Sequence, residues 1–270
     1  MNIKDILVHL DGSEWDSRRC AVAFSLVERF GARLTGLFAR VDGHAVSALA
    51  HRESERLEGI RHEAEQAFLA ACGPLGIQSR FWHTSHGEKG GVISEVSACA
   101  RFFDLVVLGQ GEEGGSLPEK FAEQVVLQSG RPCIIAPETM AAPTFGTNVL
   151  VAWNGSRECT RALHDAMPLI ENAGYVEVVS VLRSGGQPEG HSHPPANIVD
   201  HLSAHGVKVI REKLVSDNGE VMDLILSRAY DLGADLLVMG GYGNPKFSLL
   251  DRSNTRRAVR QTSLPVLLAR

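Results

Sequence analysis

The chain has 270 residues, 44% hydrophobic and 22% charged, with a net charge of −5 at neutral pH. That length suits two domains of roughly 130 residues, each large enough for its own core. The negative balance argues against general nucleic-acid binding, which needs a basic face. No run approaches the ~18 apolar residues of a membrane span. Five scattered cysteines (Cys20, Cys72, Cys99, Cys133, Cys159) never fall in C-x-x-C spacing, so reduced buried thiols and a cytoplasmic setting are expected. The opening Met1-Asn2-Ile3-Lys4-Asp5 leads into a strand without the basic segment and apolar run of a signal peptide.

In chain order, Ile6–Leu10 reads as a strand and Asp16–Phe30 as a helix closed by Gly31. Leu34–Ala39 is the next strand. A long helix follows, its apolar positions Val46, Leu49, Leu57, Ile60, Ala64, Phe68 and Ala71 stepping by threes and fours until Cys72-Gly73-Pro74. Ser79–His83 and Leu105–Leu108 read as strands around a helix at Gly91–Arg101. Lys120–Gln128 reads as the last helix of the first half and Cys133–Ala136 as its last strand. A short linker, Pro137–Thr147, separates this half from further strands at Val149–Ala152, Val176–Leu182, Val207–Leu214, Leu236–Met239 and Val266–Ala269. Short β-branched runs alternating with helical patterns specify βαβ units and a parallel sheet.

The second half is a copy of the first. At an offset of 143 residues, Ile6-Leu7-Val8-His9-Leu10-Asp11-Gly12-Ser13 meets Val149-Leu150-Val151-Ala152-Trp153-Asn154-Gly155-Ser156. Asp104-Leu105-Val106-Val107-Leu108-Gly109 matches Asp235-Leu236-Leu237-Val238-Met239-Gly240, and Pro132-Cys133-Ile134-Ile135-Ala136 matches Pro265-Val266-Leu267-Leu268-Ala269. A repeat of this length is a duplicated domain rather than a solenoid unit. Domain limits of 1–140 and 146–270 follow. The copies diverge most at Ser184–Pro195, a Gly/Pro-rich stretch where the first half has its long helix.

In an open parallel sheet a ligand sits beyond the carboxyl ends of the strands, where strand order reverses. In the second half that place gathers the turn Asn154-Gly155-Ser156 and the loop Gly240-Gly241-Tyr242-Gly243, which runs on to Ser253-Asn254-Thr255 at a helix start. Glycines allow close backbone approach, and a helix start offers free N–H groups to an anion. Between Gly240 and Arg260 five cations face one acid, a net +4. The matching first-half stretch, Gly109 to Ser129, carries a net −3, with Glu112 and Glu113 in its loop. An anion site therefore belongs to the second half.

Other chemistry is poorly supported. His83-x-x-His86 and His191-Ser192-His193, with His201 and His205, have no cysteine or carboxylate at ligand spacing, so no metal site is expected. Ser13 and Ser156 lack a His–Asp pairing and read as helix N-caps rather than nucleophiles, and no catalytic residue is assigned. Of three tryptophans, Trp153 beside Asn154 is the best candidate to line the crevice.

These repeated motifs, spread across both halves, resemble the universal stress protein family in its tandem, two-domain form. The resemblance implies two Rossmann-like (adenine-nucleotide-hydrolase-like) α/β domains, each an open five-stranded parallel sheet in the order 3-2-1-4-5 with helices on both faces. It also implies pairing through the last strands, Cys133–Ala136 and Val266–Ala269, as an intramolecular pseudo-dimer, with homodimers as a further option. Nucleotide-binding members carry Gly-x-x-Gly, nine residues, then Gly-Ser or Gly-Thr, with an acid after the first strand and a backbone contact on the second.

Carried onto this sequence, Gly240 and Gly243 match the first pair and Ser253-Asn254 stands in for Gly-Ser. Asn154 replaces the acid, and Val181 takes the second-strand position. The implied ligand is ATP or AMP, at Asn154, Gly155, Val181, Gly240, Gly243, Ser253, Asn254 and Thr255. The first half keeps Asp11 but lacks the glycine motif. Three functions stay open: a stress-response protein that senses adenine nucleotide, a ligand-free interaction module for unidentified protein partners, and a nucleotide hydrolase. Against the last stands the absence of a Walker-type lysine or an acidic metal cluster.

Overall fold

The computed structural model describes residues 3–41, 50–84, 89–110, 115–118, 120–139, 146–183, 197–216, 221–241 and 252–270. The chain separates into two compact units, Asn2–Pro143 and Thr144–Arg270. In the first unit the strands are β1 (Asp5–Leu10), β2 (Arg33–Phe38), β3 (Ser79–His83), β4 (Leu105–Gly109) and β5 (Cys133–Ala136). They alternate with helices α1 (Asp16–Phe30), α2 (Ala50–Cys72), α3 (Lys89–Ala100) and α4 (Phe121–Ser129). All pairings are parallel, in the order β3-β2-β1-β4-β5.

The second unit repeats the plan with β6 (Asn148–Ala152), β7 (Tyr175–Arg183), β8 (Val209–Ser216), β9 (Leu236–Gly240) and β10 (Val266–Ala269). Its helices are α5 (Arg157–Ile170), α6 (Ile198–Ala204), α7 (Val221–Leu232) and α8 (Arg252–Gln261). The order β8-β7-β6-β9-β10 is the same 3-2-1-4-5 counted within the unit, again all parallel.

The central strands are apolar throughout because helices cover both faces of such a sheet. Ile6, Leu7 and Val8 of β1 and Val149 and Leu150 of β6 are fully buried, as are β4 and β9 beside them. The edge strand β3 is the most exposed of the first sheet, with Trp82 packed edge-on to Phe103 at 5.7 Å. One charge lies deep in the second sheet: Glu177 of β7, fully buried, accepts from the Arg228 guanidinium of α7 at 2.7 and 2.8 Å. Burial pushes the Cys20 and Cys133 thiols up to about 12, so both stay protonated.

Element ends shift by one or two residues from the sequence reading. Helix α4 starts at Phe121 because Lys120 adopts a left-handed backbone, φ 64°. Strand β8 runs Val209–Ser216 because the chain leaves α6 through Gly206, φ 78°, and Val207 donates back to the Leu202 carbonyl. Ser156 caps α5 as expected, accepting from Cys159 N at 3.2 Å, but Ser13 does not cap α1, whose side chains offer no cap bond at that end.

The repeated aspartates have a structural cause. Asp104, just before β4, accepts from the backbone N–H of Lys4 and Asp5 at 2.8 and 3.1 Å. Asp235, just before β9, accepts from Gly146, Thr147 and Asn148 at 2.9 to 3.1 Å. Each carboxylate thus clips the chain as it enters the first strand of its unit. Replacing Asp235 with Ala strands three backbone donors and is expected to cost about 2 kcal/mol. Urea denaturation of Asp235→Ala should show a lowered midpoint, with Asp235→Asn falling between it and the wild type.

Candidate functional site

The crevice of each unit lies beyond the carboxyl ends of its first and fourth strands, and the two crevices are built differently. In the first, β1 ends at Leu10 and the chain turns through Asp11-Gly12-Ser13. Gly12 has φ +75°, and a Cβ there would strike Ile60 of α2. Asp11 is buried, and Arg19 comes down from the first turns of α1 to pair with both Asp11 and Asp16. The Arg19 guanidinium rests on the end of β4, where a Cβ on Gly109 would meet it. Ser13 and Ser116 donate their hydroxyls to the two Asp11 oxygens at 2.7 and 2.6 Å, and Asp16 accepts from the N–H groups of Asp11 and Gly12. Arg40, at the end of β2, donates to the Asp11 carbonyl at 2.8 Å.

The electrostatics follow from this closure. Burial alone would raise the Asp11 carboxyl, but the Arg19 charge, joined by His9 and the Ser116 and Ser13 hydroxyls, outweighs it and holds the group well below the usual carboxylate range. For Asp16 burial prevails and, with the Asp11 charge adding to it, the value rises. His9, fully buried one strand position earlier on the same face, is lowered to about 4, by burial first and then by Arg19. Its neutral ring donates through Nε2 to the Ala39 carbonyl at 2.8 Å and packs on Phe121. Above the cluster is an open cleft of about 430 Å³ bordered by Trp15, Arg18, Gln110, Ser116 and Glu138.

The second crevice has no such cluster among its described residues. At the matching offset, His9, Asp11, Asp16 and Arg19 are replaced by Ala152, Asn154, Cys159 and Ala162. Asn154 is half-buried, and its Oδ1 accepts from Ser156 N at 3.0 Å, an Asx turn around Gly155, φ +73°, which has open space where a side chain would lie. The register sets Ala152 beside Val179 of β7 and Met239 of β9. Asn154, Val181 and Gly240 therefore stand at the same end of three neighbouring strands. Val181 and Thr255 are buried.

Ser253 and Asn254 fall in the first turn of α8, which begins at Arg252. Gly243 lies outside the described residues, as do Glu112, Glu113, His86, His191 and His193. Gly240 has a reason of its own: a Cβ there would come within 2.5 Å of the Cys159 nitrogen and 2.7 Å of the Glu158 carbonyl carbon, so the start of α5 requires a glycine. The cationic excess of this region is partly spent as well, since Arg257 pairs with Asp223 of α7 at 2.6 Å.

Arg19 and His9 escaped the sequence reading. The signal was available in the α1 pattern, where Arg19 shares the buried stripe with Val22, Ala23 and Leu26. An arginine on such a stripe requires buried acids, and Asp11 and Asp16 stand nearby. Of the three tryptophans, Trp15 borders the first-unit cleft, whereas Trp153, the one preferred from the sequence, is half-buried and donates its backbone N–H to Val179. Among the described residues no group of three His, Cys, Asp or Glu is placed to hold a metal ion, and no helix is long and apolar enough to cross a membrane.

Two open, five-stranded parallel sheets with a crevice at the β1/β4 switch point define a tandem Rossmann-like protein. Residues 147–270 match the model of the universal stress protein family. That second half thereby falls in the universal stress protein family, and the first half repeats its strand order. The whole chain is similar in fold to a universal stress protein from Archaeoglobus fulgidus DSM 4304, with a TM-score of 0.71, 18% identity, and coverage of 100% of this chain and 97% of that one. It is also similar to a functionally unknown protein from Pseudomonas aeruginosa PAO1, with a TM-score of 0.54, 14% identity, and coverage of 99% and 92%. No curated protein matches the chain.

Removing the Arg19 cation leaves two carboxylates in the interior without a partner. Arg19→Ala is expected to destabilise the first unit by about 3–5 kcal/mol. In chemical denaturation the double variant Asp11→Asn/Arg19→Met should recover much of that loss. Additive losses would show that the two residues act separately.

Proposed function

We propose that the second domain binds an adenine nucleotide, ATP or AMP, and that the protein is a nucleotide-responsive stress protein of the cytoplasm rather than an enzyme. The observation that carries this reading is the contrast between the crevices. The floor of the first carries its own buried ion cluster, whereas at the matching place the described residues of the second offer a neutral Asn154–Gly155 turn.

In this reading the adenine edge meets the Asn154 amide, which both donates and accepts, and the backbone at Val181. The phosphates lie toward Gly240, Gly243 and the first turn of α8. There the first turn of α8, which carries Ser253, Asn254 and Thr255, favours an anion through its backbone N–H groups and the helix dipole. The arginines of α8 add positive charge nearby. Among the described residues neither crevice supplies an activated nucleophile: the Ser156 hydroxyl accepts from Cys159 N, and the Ser13 hydroxyl donates to Asp11.

A second reading, a ligand-free interaction module, draws support from Gly240, which α5 requires without any ligand, and from the Arg257–Asp223 pair. Thermal denaturation separates the two. At a hundredfold excess over its dissociation constant, a nucleotide stabilises the domain by about 2.7 kcal/mol. ATP or AMP at millimolar concentration should therefore raise the melting temperature of the wild type and of Arg18→Ala, which alters the first crevice. Gly243→Glu should abolish the rise. No shift with either nucleotide would leave the interaction module, and equal loss in both variants would place the site in the wrong half.

A further inference from the structure

Three histidines outside either crevice form a row on the second unit. His164 of α5 meets His201 of α6 edge-on at 5.3 Å between ring centroids, and His201 meets His205, at the end of the same helix, at 4.9 Å. The outer two rings are exposed and the middle one is half-buried. The His201 Nε2 is enclosed and has no hydrogen-bond partner among the described residues. An imidazolium places a proton on both ring nitrogens. Such a proton on Nε2 would be buried without an acceptor among the described residues, between two further imidazole rings.

The helix that carries His201 is lightly held. It is a single stretch of seven residues, N-capped by Asn197, whose Oδ1 accepts from Val199 N at 3.0 Å. Leu202 is its one buried residue. An element with so little buried surface opens at the low end of the local stability range; besides its packing on β8, the His164–His201 ring contact ties it to α5.

We infer that the His164–His201–His205 row is an acid-sensitive latch, which holds α6 on α5 while the His201 ring is neutral and releases α6 when that ring is protonated. The groups acting on His201 are His164 from α5 and His205 from its own helix. Asp200 on α6 and Arg211, Glu212 and Lys213 of β8, the strand packed with α6, are not among them. On α5 the carboxylate nearest in sequence, Asp165, is engaged by Arg161 at 2.7 Å. Among the described residues, no carboxylate is thus placed to stabilise the imidazolium.

The direction of the effect is fixed by linkage. Burial, then the neighbouring histidines, lower the packed His201 below its ordinary value of 6.5, which the ring regains when α6 is released. The latch is at full strength above that value and weakens as the pH falls through the packed one.

Hydrogen exchange read by mass spectrometry on the full chain tests this. After correction for intrinsic rates, protection of the α6 amides, Ile198–Ala204, should fall severalfold between pH 7.5 and pH 5, while that of β6 and β9 holds. His201→Gln should flatten the dependence. His164→Gln, which changes an exposed residue of another helix, should reduce it without altering α6. A flat wild-type profile, or a profile that His164→Gln leaves unchanged, would overturn the latch. Protection that rises with added Zn²⁺ at neutral pH and is lost in His201→Gln would mean a metal clasp instead, and would also overturn it.

Discussion

A guanidinium in a protein interior is tolerated only where carboxylates meet it, because desolvating either charge alone costs several kcal/mol. The first domain satisfies that constraint with Asp11 and Asp16, and much of the local structure depends on it. The turn after β1 is held by Asp16 and Arg40, two serines complete the Asp11 oxygens, and His9 stays neutral below them. The floor of the cleft where an open α/β sheet ordinarily receives a ligand is here made of the chain's own charges. In the sister domain every charged member of the set is absent, and a small neutral turn remains.

The division of labour between the halves rests on this difference. A buried ion cluster makes the first domain self-sufficient, since its crevice asks nothing of solvent or ligand. The second has an Asx turn, a glycine with free space around it, and a helix start rich in small polar residues and arginine. Its stability owes more to packing, as at Gly240 against α5, and to the deep Glu177–Arg228 pair.

The architecture was legible because its signals are redundant. Strands such as Leu105–Gly109 and Leu236–Gly240 are apolar at every position, and the copies corroborate each other's boundaries. The aspartates before them were visible as a repeat, though their task of gripping the entering chain needed the fold. Arg19 was not legible from charge counts, which treat every arginine alike and cannot tell which one turns inward. That depends on three segments distant in sequence converging on one point. Gly240 shows the opposite error, since a glycine read as room for a ligand is also demanded by a neighbouring helix.

The two aspartate clips also govern when each half can finish assembling. Asp104 grips backbone groups 99 and 100 residues upstream, and Asp235 grips groups 87 to 89 residues upstream. A nascent chain can pair β1 with β2 early, but the flank of β1 that receives β4 waits until about a hundred residues have been made. Long-range parallel pairings of this kind form slowly and leave unpaired edges meanwhile. During synthesis the first half can close before the second has its own clip, so translation itself keeps two near-identical strand sets from exchanging partners.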